Sequence, residues 1–385
     1  MAEHDIPFNR PYEVGTEAAR IAEAIAEGQI SNGGTFTKRC EAWLQEHTGT
    51  ARALLTTSCT AALEASAYLV DAGPGDEVIM PSYTFVTTAT AFAARGATPV
   101  FVDIREDTLN VDEAEVADAV TPRTKAIVAV HYAGVGCEMD ALRSIARDAG
   151  ARLVEDAAQG LMSTWRGEAL GAIGDLGTIS FHETKNVTCG EGGALYVNDP
   201  ELVERAEIVK DKGTNRSRFL RGQVDKYTWV DHGSSFGLSD LNAAFLYEQL
   251  RHAGEITARR LAIWERYHEA FAGLEAQGAV RRPVIPEGRA HNAHMYYLLA
   301  PDQARRDAAL RALRGGGIDA VFHYVPLHSS PAGRRLGRAH GDLRRTDDLS
   351  GRLLRLPLWV GLEPADVDRV VEAVHAALAR PARVA

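Results

Sequence analysis

The stretch LGTISFHETKNVTCGEGGAL, residues 176–195, decides how this chain is read. Its first half is a β-branched and aliphatic run, which predicts a strand. Lys185 follows that run and precedes a glycine-rich turn, Gly190-Glu191-Gly192-Gly193. Lysine is rare here: only Lys38, Lys125, Lys185, Lys210, Lys212 and Lys226 occur. The other five stand at element edges or in the polar stretch near residue 212. A lysine pressed into an apolar pocket can lose its proton and become a nucleophilic amine. The plain alternative is a solvated strand-end lysine.

Working outward, the same kind of run recurs as RALLTT (52–57), EVIMPSY (77–83), TPVFVDI (98–104), TKAIVAVHYA (124–133), ARLVEDAA (151–158) and GALYVND (193–199). Most are near-continuously apolar rather than alternating, as expected for strands covered by helices on both faces. Helix-like stretches such as CTAALEASAYLVDAG lie between them and end in glycine. The expectation is a mainly parallel seven-stranded sheet of α/β class. Beyond Ser239, a plausible N-cap, SDLNAAFLYEQLRHAGEITARRLAIWERYHEAF keeps helical periodicity for more than thirty residues. After the breaker RRPVIPEG come AHMYYLLA, a helix around Asp307 to Arg314, GIDAVFHYVPL read as a strand, and a closing helix from Pro364 to Ala379. Two domains are therefore expected, residues 1–245 with the large sheet and residues 246–385 as a smaller α+β unit with the connecting helix. The segment GRRLGRAHGDLRRTDDL reads as polar and mobile.

Composition narrows the function. The chain has 385 residues, 45% hydrophobic and 24% charged, a globular balance. Its net charge of −10 argues against general affinity for nucleic acid or anionic membrane and favours small-molecule partners. Cys40, Cys59, Cys137 and Cys189 form no C-x-x-C pair, so a structural metal is not expected. No apolar run approaches the roughly 18 residues that span a bilayer. The start lacks a cationic and apolar leader, so a cytoplasmic location is expected.

Ligands of doubly wound sheets bind beyond the carboxyl ends of the strands. RALLTT opens into Ser58-Cys59-Thr60, where a helix start offers unpaired N–H groups and a positive dipole end to a phosphate; a simple N-cap is the alternative. ARLVED ends in Glu155 and Asp156, and a carboxylate leaving an apolar strand needs a cationic or N–H partner, in a salt bridge or a site. Phe85, at the end of another strand, suits stacking on a ring face, unless it is core. A phosphate cradle, a buried carboxylate and Lys185 together are what pyridoxal 5'-phosphate (PLP) needs. Lysine forms the Schiff base, the carboxylate keeps the pyridine nitrogen protonated, and the helix start holds the phosphate.

These residues resemble the DegT/DnrJ/EryC1/StrS sugar aminotransferases, of PLP fold type I (aspartate aminotransferase-like). The likeness runs through PSYTFVTTATAFAARGATPVFVDI (81–104), VHYAGVGCEMD (130–140), VEDAAQG (154–160), SFHETKN (180–186), GEGGAL (190–195), KGTNRS (212–217), RGQVDKYTW (221–229) and VFHYVPLH (321–328). Together they look like the dTDP-4-amino-4,6-dideoxygalactose transaminase branch. The resemblance implies that Lys185 is the Schiff-base lysine and Asp156 the pyridinium partner. Gln159 then lies near the ring oxygen, Ser58, Cys59, Thr60 and Ser180 bind phosphate, and Phe85 stacks on the ring. One departure stands out: the asparagine that many members place three residues before the Asp of N-x-[ST]-D is Gly237 here, with Ser234 or Ser235 as replacement. Histidine replaces the lysine in dehydratase relatives, so Lys185 favours transamination.

The implied reaction moves an amino group from L-glutamate to C4 of a dTDP-4-keto-6-deoxyhexose, with Lys185 shuttling the proton. His323 and Tyr324 are expected to meet the nucleotide sugar. A homodimer with shared active sites is implied, the basic segment 212–231 crossing to the neighbour. C3 amination of a related dTDP-keto-sugar is the alternative within the class, and the product's C4 configuration stays open. A nicotinamide oxidoreductase is disfavoured by the missing G-x-G-x-x-G after the first strand. A non-catalytic binding role is disfavoured by Lys185 and Asp156.

Overall fold

The computed structural model describes residues 5–379. Its strands are β1 (Arg52–Thr56), β2 (Glu77–Pro81), β3 (Thr98–Val102), β4 (Thr124–Val130), β5 (Arg152–Asp156), β6 (Thr164–Trp165), β7 (Glu168–Ala169), β8 (Leu176–Ser180), β9 (Gly193–Val197), β10 (Arg289–Ala290), β11 (Tyr296–Leu299), β12 (Arg338–Ala339) and β13 (Leu353–Leu356). All seven runs anticipated as strands form one sheet, in the order β1-β9-β8-β5-β4-β2-β3-β12. Only β9 runs antiparallel to its neighbours β1 and β8. The sheet is thus mainly parallel, with a small three-stranded sheet (β10-β6-β7) and the pair β11-β13 beside it.

Near-continuous apolarity has the cause inferred for it. Along β4, Ile127 and Ala129 enter one buried cluster and Ala126 and Val128 another, so both faces of the strand are covered. A third cluster gathers Trp264, Tyr267, Phe271, Tyr296, Leu298, Leu354, Leu356, Val370 and Val374. Ile6 joins it by donating its amide to the Gly317 carbonyl at 3.0 Å and accepting from the Asp319 amide at 2.9 Å.

Three expectations need correction. The sheet has an eighth strand, β12, which comes from the segment read as polar and mobile. That segment, residues 333–349, overlaps the helices Pro331–Leu336 and Arg344–Arg352, and β12 lies parallel to β3, opposite Val100 and Phe101. Its arginines are used: Arg338 forks onto both oxygens of buried Glu77 at 3.0 and 3.1 Å. Second, the long helix beyond Ser239 is interrupted. The Ser239 hydroxyl does cap it, accepting from the Asn242 amide at 3.3 Å, but the helices are Asp240–Arg251 and Ala253–Ala270. The break falls at His252, whose ψ is 8°, two residues before the poor helix former Gly254. Third, GIDAVFHYVPL, residues 317–327, is not a strand. It makes only isolated bridges, Ile318 to Ile6 and Val321 to Arg355, and Leu327 and His328 bond instead to Ser82.

Glu77 ties β12 to the sheet. Burial disfavours its charge, but Arg338, Thr121 and Arg123 outweigh that and bring its pKa down to about 2. A depressed carboxylate contributes stability that is fully present above its unfolded value and lost as pH falls through the folded one. Glu77→Gln should therefore cost about 1–3 kcal/mol near neutral pH, at the low end because Arg123 is well exposed. The gap between variant and wild type should close as pH drops from 4.5 toward 2. Denaturant midpoints across pH 3–7 measure this; a gap independent of pH would show that the charge is not the cause.

Candidate active site

The carboxyl ends of β1, β5 and β8 lie together because β9 runs antiparallel between β1 and β8. Register places Thr56, Gly193 and Ser180 in one row. The turn after β1 leads into the helix Cys59–Leu69, and β9 comes very close to it. A Cβ on Gly193 would lie 2.4 Å from the Cys59 nitrogen, so only glycine fits there. The Ser58 hydroxyl accepts from the Ala61 amide at 3.1 Å, which makes Ser58 the N-cap, the plain reading of that residue. The amides of Cys59 and Thr60, at the start of the helix, have no carbonyl four residues back within it and open on the same space. Burial, with Asp156 adding to it, pushes the Cys59 thiol up to about 12, so it is not a nucleophile.

The two carboxylates at the end of β5 part ways, because successive strand residues face opposite sides. Glu155 is fully buried and serves structure: it accepts amides from Gly171, Ile173 and Gly174 at 2.9, 2.6 and 2.6 Å, with His131 Nε2 2.8 Å away. Asp156 enters the cleft. It accepts the Thr88 hydroxyl at 2.7 Å and the Ala158 amide at 3.2 Å, and Thr88 in turn meets the Thr84 hydroxyl at 2.9 Å. Among the described residues no Lys, Arg or His nitrogen lies within 4.0 Å of this buried carboxylate.

Lys185 is half-buried and lines the same cleft, in a turn where its amide donates to the His182 carbonyl at 2.9 Å. The next residue fixes it in place: Asn186 donates to the Asn292 carbonyl at 2.8 Å and lies 3.1 Å from His294. Burial pushes the Lys185 ammonium below its usual value, only partly countered by Cys59 and Asp156. Gln159 accepts the Ala133 amide at 2.7 Å and donates to the Tyr324 hydroxyl at 3.0 Å. His323 stacks on Tyr324 at 3.6 Å between centroids, and its Nδ1 is 2.7 Å from the Tyr132 hydroxyl. Phe85 is not core: it is 53% exposed, at the cleft rim.

The result is a cleft of about 450 Å³ that brings together Ser58, Cys59, Thr60, Phe85, Asp156, Gln159, Ser180, Lys185, His323 and Tyr324. Ser235 is the exception. It is exposed, bridges Asp211 through its backbone, and lines no part of this chain's own cleft. Nor is position 237 free to carry a side chain, because a Cβ there would lie 2.2 Å from Asn32 Cγ. Reading the sequence alone missed Thr88, Arg260, His294 and Arg355. A Thr84-x-x-x-Thr88 spacing, one helical turn, was the available signal for the first. The others come from segments distant in sequence and carry no local motif.

The profile of the DegT/DnrJ/EryC1/StrS aminotransferase family matches residues 11–375. The spore coat polysaccharide biosynthesis protein SpsC of Bacillus subtilis is 34% identical over 380 residues, 97% of each chain. The aminotransferase TlmJ from Streptoalloteichus hindustanus has 35% identity and a TM-score of 0.89, over 97% of this chain and 99% of that one. The sugar aminotransferase Spr1654 from Streptococcus pneumoniae, in its PLP form, has 27% identity and a TM-score of 0.87, over 97% of this chain and 98% of that one. With a profile that spans nearly the whole chain and relatives matched end to end, this protein belongs to the DegT/DnrJ/EryC1/StrS aminotransferase family.

Proposed function

We propose that this aminotransferase moves an amino group from L-glutamate to C4 of a dTDP-4-keto-6-deoxyhexose, giving a dTDP-4-amino-4,6-dideoxyhexose and 2-oxoglutarate. Family membership makes it a PLP-dependent enzyme of fold type I. The observation that carries the reading is Asp156, a buried carboxylate aimed into the cleft with no cation beside it, facing Lys185. A protonated pyridine nitrogen is the partner that such a carboxylate lacks. The choice of C4 and of dTDP is supported by the motif likeness around residues 180–195, 212–229 and 321–328.

PLP supplies a protonated pyridine ring that accepts the electron pair left on a carbon when its proton departs. Asp156 would hold that nitrogen's proton, and Thr88 keeps the carboxylate aimed by occupying one of its oxygens. The first-turn amides of the helix Cys59–Leu69, with the Ser180 hydroxyl, would hold the phosphate. Lys185 is the amine that would bind the aldehyde and later move a proton at the donor's α-carbon and at C4 of the sugar. Its depressed pKa raises the share of free amine at a given pH, which suits a base. Phe85 offers its exposed face for stacking, and His323 with Tyr324 forms a wall for the sugar.

The reading includes a homodimer whose sites are shared. The segment 212–231 leaves Leu220, Tyr227, Trp229 and Val230 50–77% exposed, an apolar content that isolated surfaces rarely carry.

Lys185→Ala should lose the visible absorbance of lysine-bound cofactor and any borohydride-trapped adduct, with turnover down by on the order of 10⁴. An adduct mapped to Lys212 or Lys226 would move the assignment. The product from dTDP-4-keto-6-deoxyglucose and glutamate, solved by NMR, should carry its amine at C4; an amine at C3 would refute the regiochemistry.

Thr88→Val should keep cofactor binding but lower turnover roughly ten- to hundredfold, because a hydrogen bond to a buried charge is lost. Asp156→Asn should fall further while still loading cofactor. Unchanged turnover in the Asn variant would make Asp156 a structural group.

Trp229→Glu should shift sedimentation from dimer to monomer and take activity with it. A fully active wild-type monomer would exclude shared sites.

A further inference from the structure

His294 carries a ring nitrogen that none of the roles above employs. It stands two residues before β11, in a segment bolted to the loop after β5. Buried Asn292 donates to the Gln159 and Leu161 carbonyls, both at 2.8 Å, and accepts the His294 amide at 2.9 Å. Ala293 between them takes φ 49°, a left-handed value that a residue with a Cβ keeps only where its surroundings impose it. Arg260 adds bonds to the Ala293 and His294 carbonyls at 3.1 and 2.8 Å. The imidazole thus lines the cleft from a backbone with little freedom to move.

The hydrogen bonds around the ring fix its tautomer. Asn186, the residue after Lys185, must turn its Nδ2 toward the Asn292 carbonyl 2.8 Å away, since a carbonyl accepts and cannot donate. That leaves Asn186 Oδ1 facing His294 Nδ1 at 3.1 Å, and two acceptors do not pair, so Nδ1 carries the ring proton and donates. Nε2 is then a bare lone pair, and among the described residues it has no hydrogen-bond partner. Burial, with Lys185, Arg260, Arg355 and His323 adding to it, holds the ring well below the usual histidine range, so it stays neutral. His131, on the same cleft, differs: its Nε2 meets Glu155 at 2.8 Å and its Nδ1 accepts the Cys137 amide at 3.2 Å.

A neutral acceptor of this kind selects ligands that bring a proton. Carboxylate and diphosphate oxygens are acceptors themselves and find no partner in it. Beside the reacting carbon of glutamate stand a carboxylate and a methylene, and its nitrogen is the group being transferred. The proposed sugar differs, because C3, next to the reacting C4, carries a hydroxyl, while C5 on the other side bears a methyl group. His294 is tied to the residue after Lys185 and feels the Lys185 charge, so its acceptor stands near the carbon that Lys185 serves. We propose that His294 Nε2 accepts the C3 hydroxyl of the keto sugar and so selects that substrate and turns its C4 toward Lys185. This rests on the C4 reading above.

The test uses holoenzyme first aminated with glutamate and follows the return of the lysine-bound cofactor's absorbance on adding dTDP-4-keto-6-deoxyglucose or its 3-deoxy counterpart. Wild type should use the 3-deoxy sugar about ten- to hundredfold less well, because a buried acceptor is then left without its donor. In His294→Phe the parent sugar should fall by a similar factor and the two sugars should become alike, while the glutamate half-reaction falls far less. His294→Asn, which keeps a polar group but withdraws it from reach, should show the same convergence and carries the test if the Phe variant does not fold. Equal use of both sugars by wild type, discrimination that survives in the variants, or equal losses in the two half-reactions would overturn the assignment. Wild type that leaves the parent sugar unaminated would overturn the substrate reading, and this assignment with it.

Discussion

The close approach of β9 to the turn after β1 is the constraint on which the site depends. Gly193 sits so near Ser58 and Cys59 that any side chain would collide with backbone, and backbone cannot move aside as a flexible side chain can. Because β9 is antiparallel to both neighbours, its first residue arrives at the edge where β1 and β8 end. The turn between β8 and β9 must therefore project over the helix start, and that turn carries Lys185. An amine and a set of helix-start amides thus meet through strand direction, and the contacts of Asn186 with Asn292 and His294 hold the turn there.

Asp156 and Glu155 illustrate how one strand end can serve fold and chemistry at once. Alternation sends them to opposite faces, and the polar groups they find there differ in kind. Glu155 meets three amides and His131 and is satisfied; Asp156 meets one amide and one hydroxyl and retains an unmet demand for a cation. A carboxylate fully satisfied by the protein has little left to offer a ligand. It is the incomplete one that marks the site.

Much of this was legible in sequence, and the reason lies in locality. Seven strands announce themselves because each is a contiguous apolar run, and Lys185 because rarity and a glycine turn coincide within ten residues. β12 was missed since two residues at a sheet edge leave no periodic trace, and their attachment is an ion pair between Arg338 and Glu77, 261 positions apart. Residues 321–328 have strand composition but bond to Ser82 and to the cleft rather than to a neighbouring strand, so propensity lost to tertiary contact. Ser58 was legible as a cap or a phosphate ligand but not as both: its hydroxyl caps the helix, and the amides it leaves free are those of its neighbours. Arg355 has no motif, and it reaches the cleft from a strand far along the chain, which a sequence does not state.

The electrostatics of the cleft follow from the same arrangement. The chain carries a net charge of −10, yet the cleft is lined by Lys185, Arg260 and Arg355 against only Asp156 and Glu191 as carboxylates. Those cations stand in a low-dielectric enclosure where each lowers the proton affinity of the next, and the surrounding acidic surface is screened by salt within roughly 10 Å. An anionic ligand therefore meets a net-negative molecule whose cleft is locally cationic. Since phosphate, carboxylate and nucleotide are all anions, the cleft selects for charge first. It then offers them different partners, helix-start amides in one part of its lining and the Lys185 amine in another.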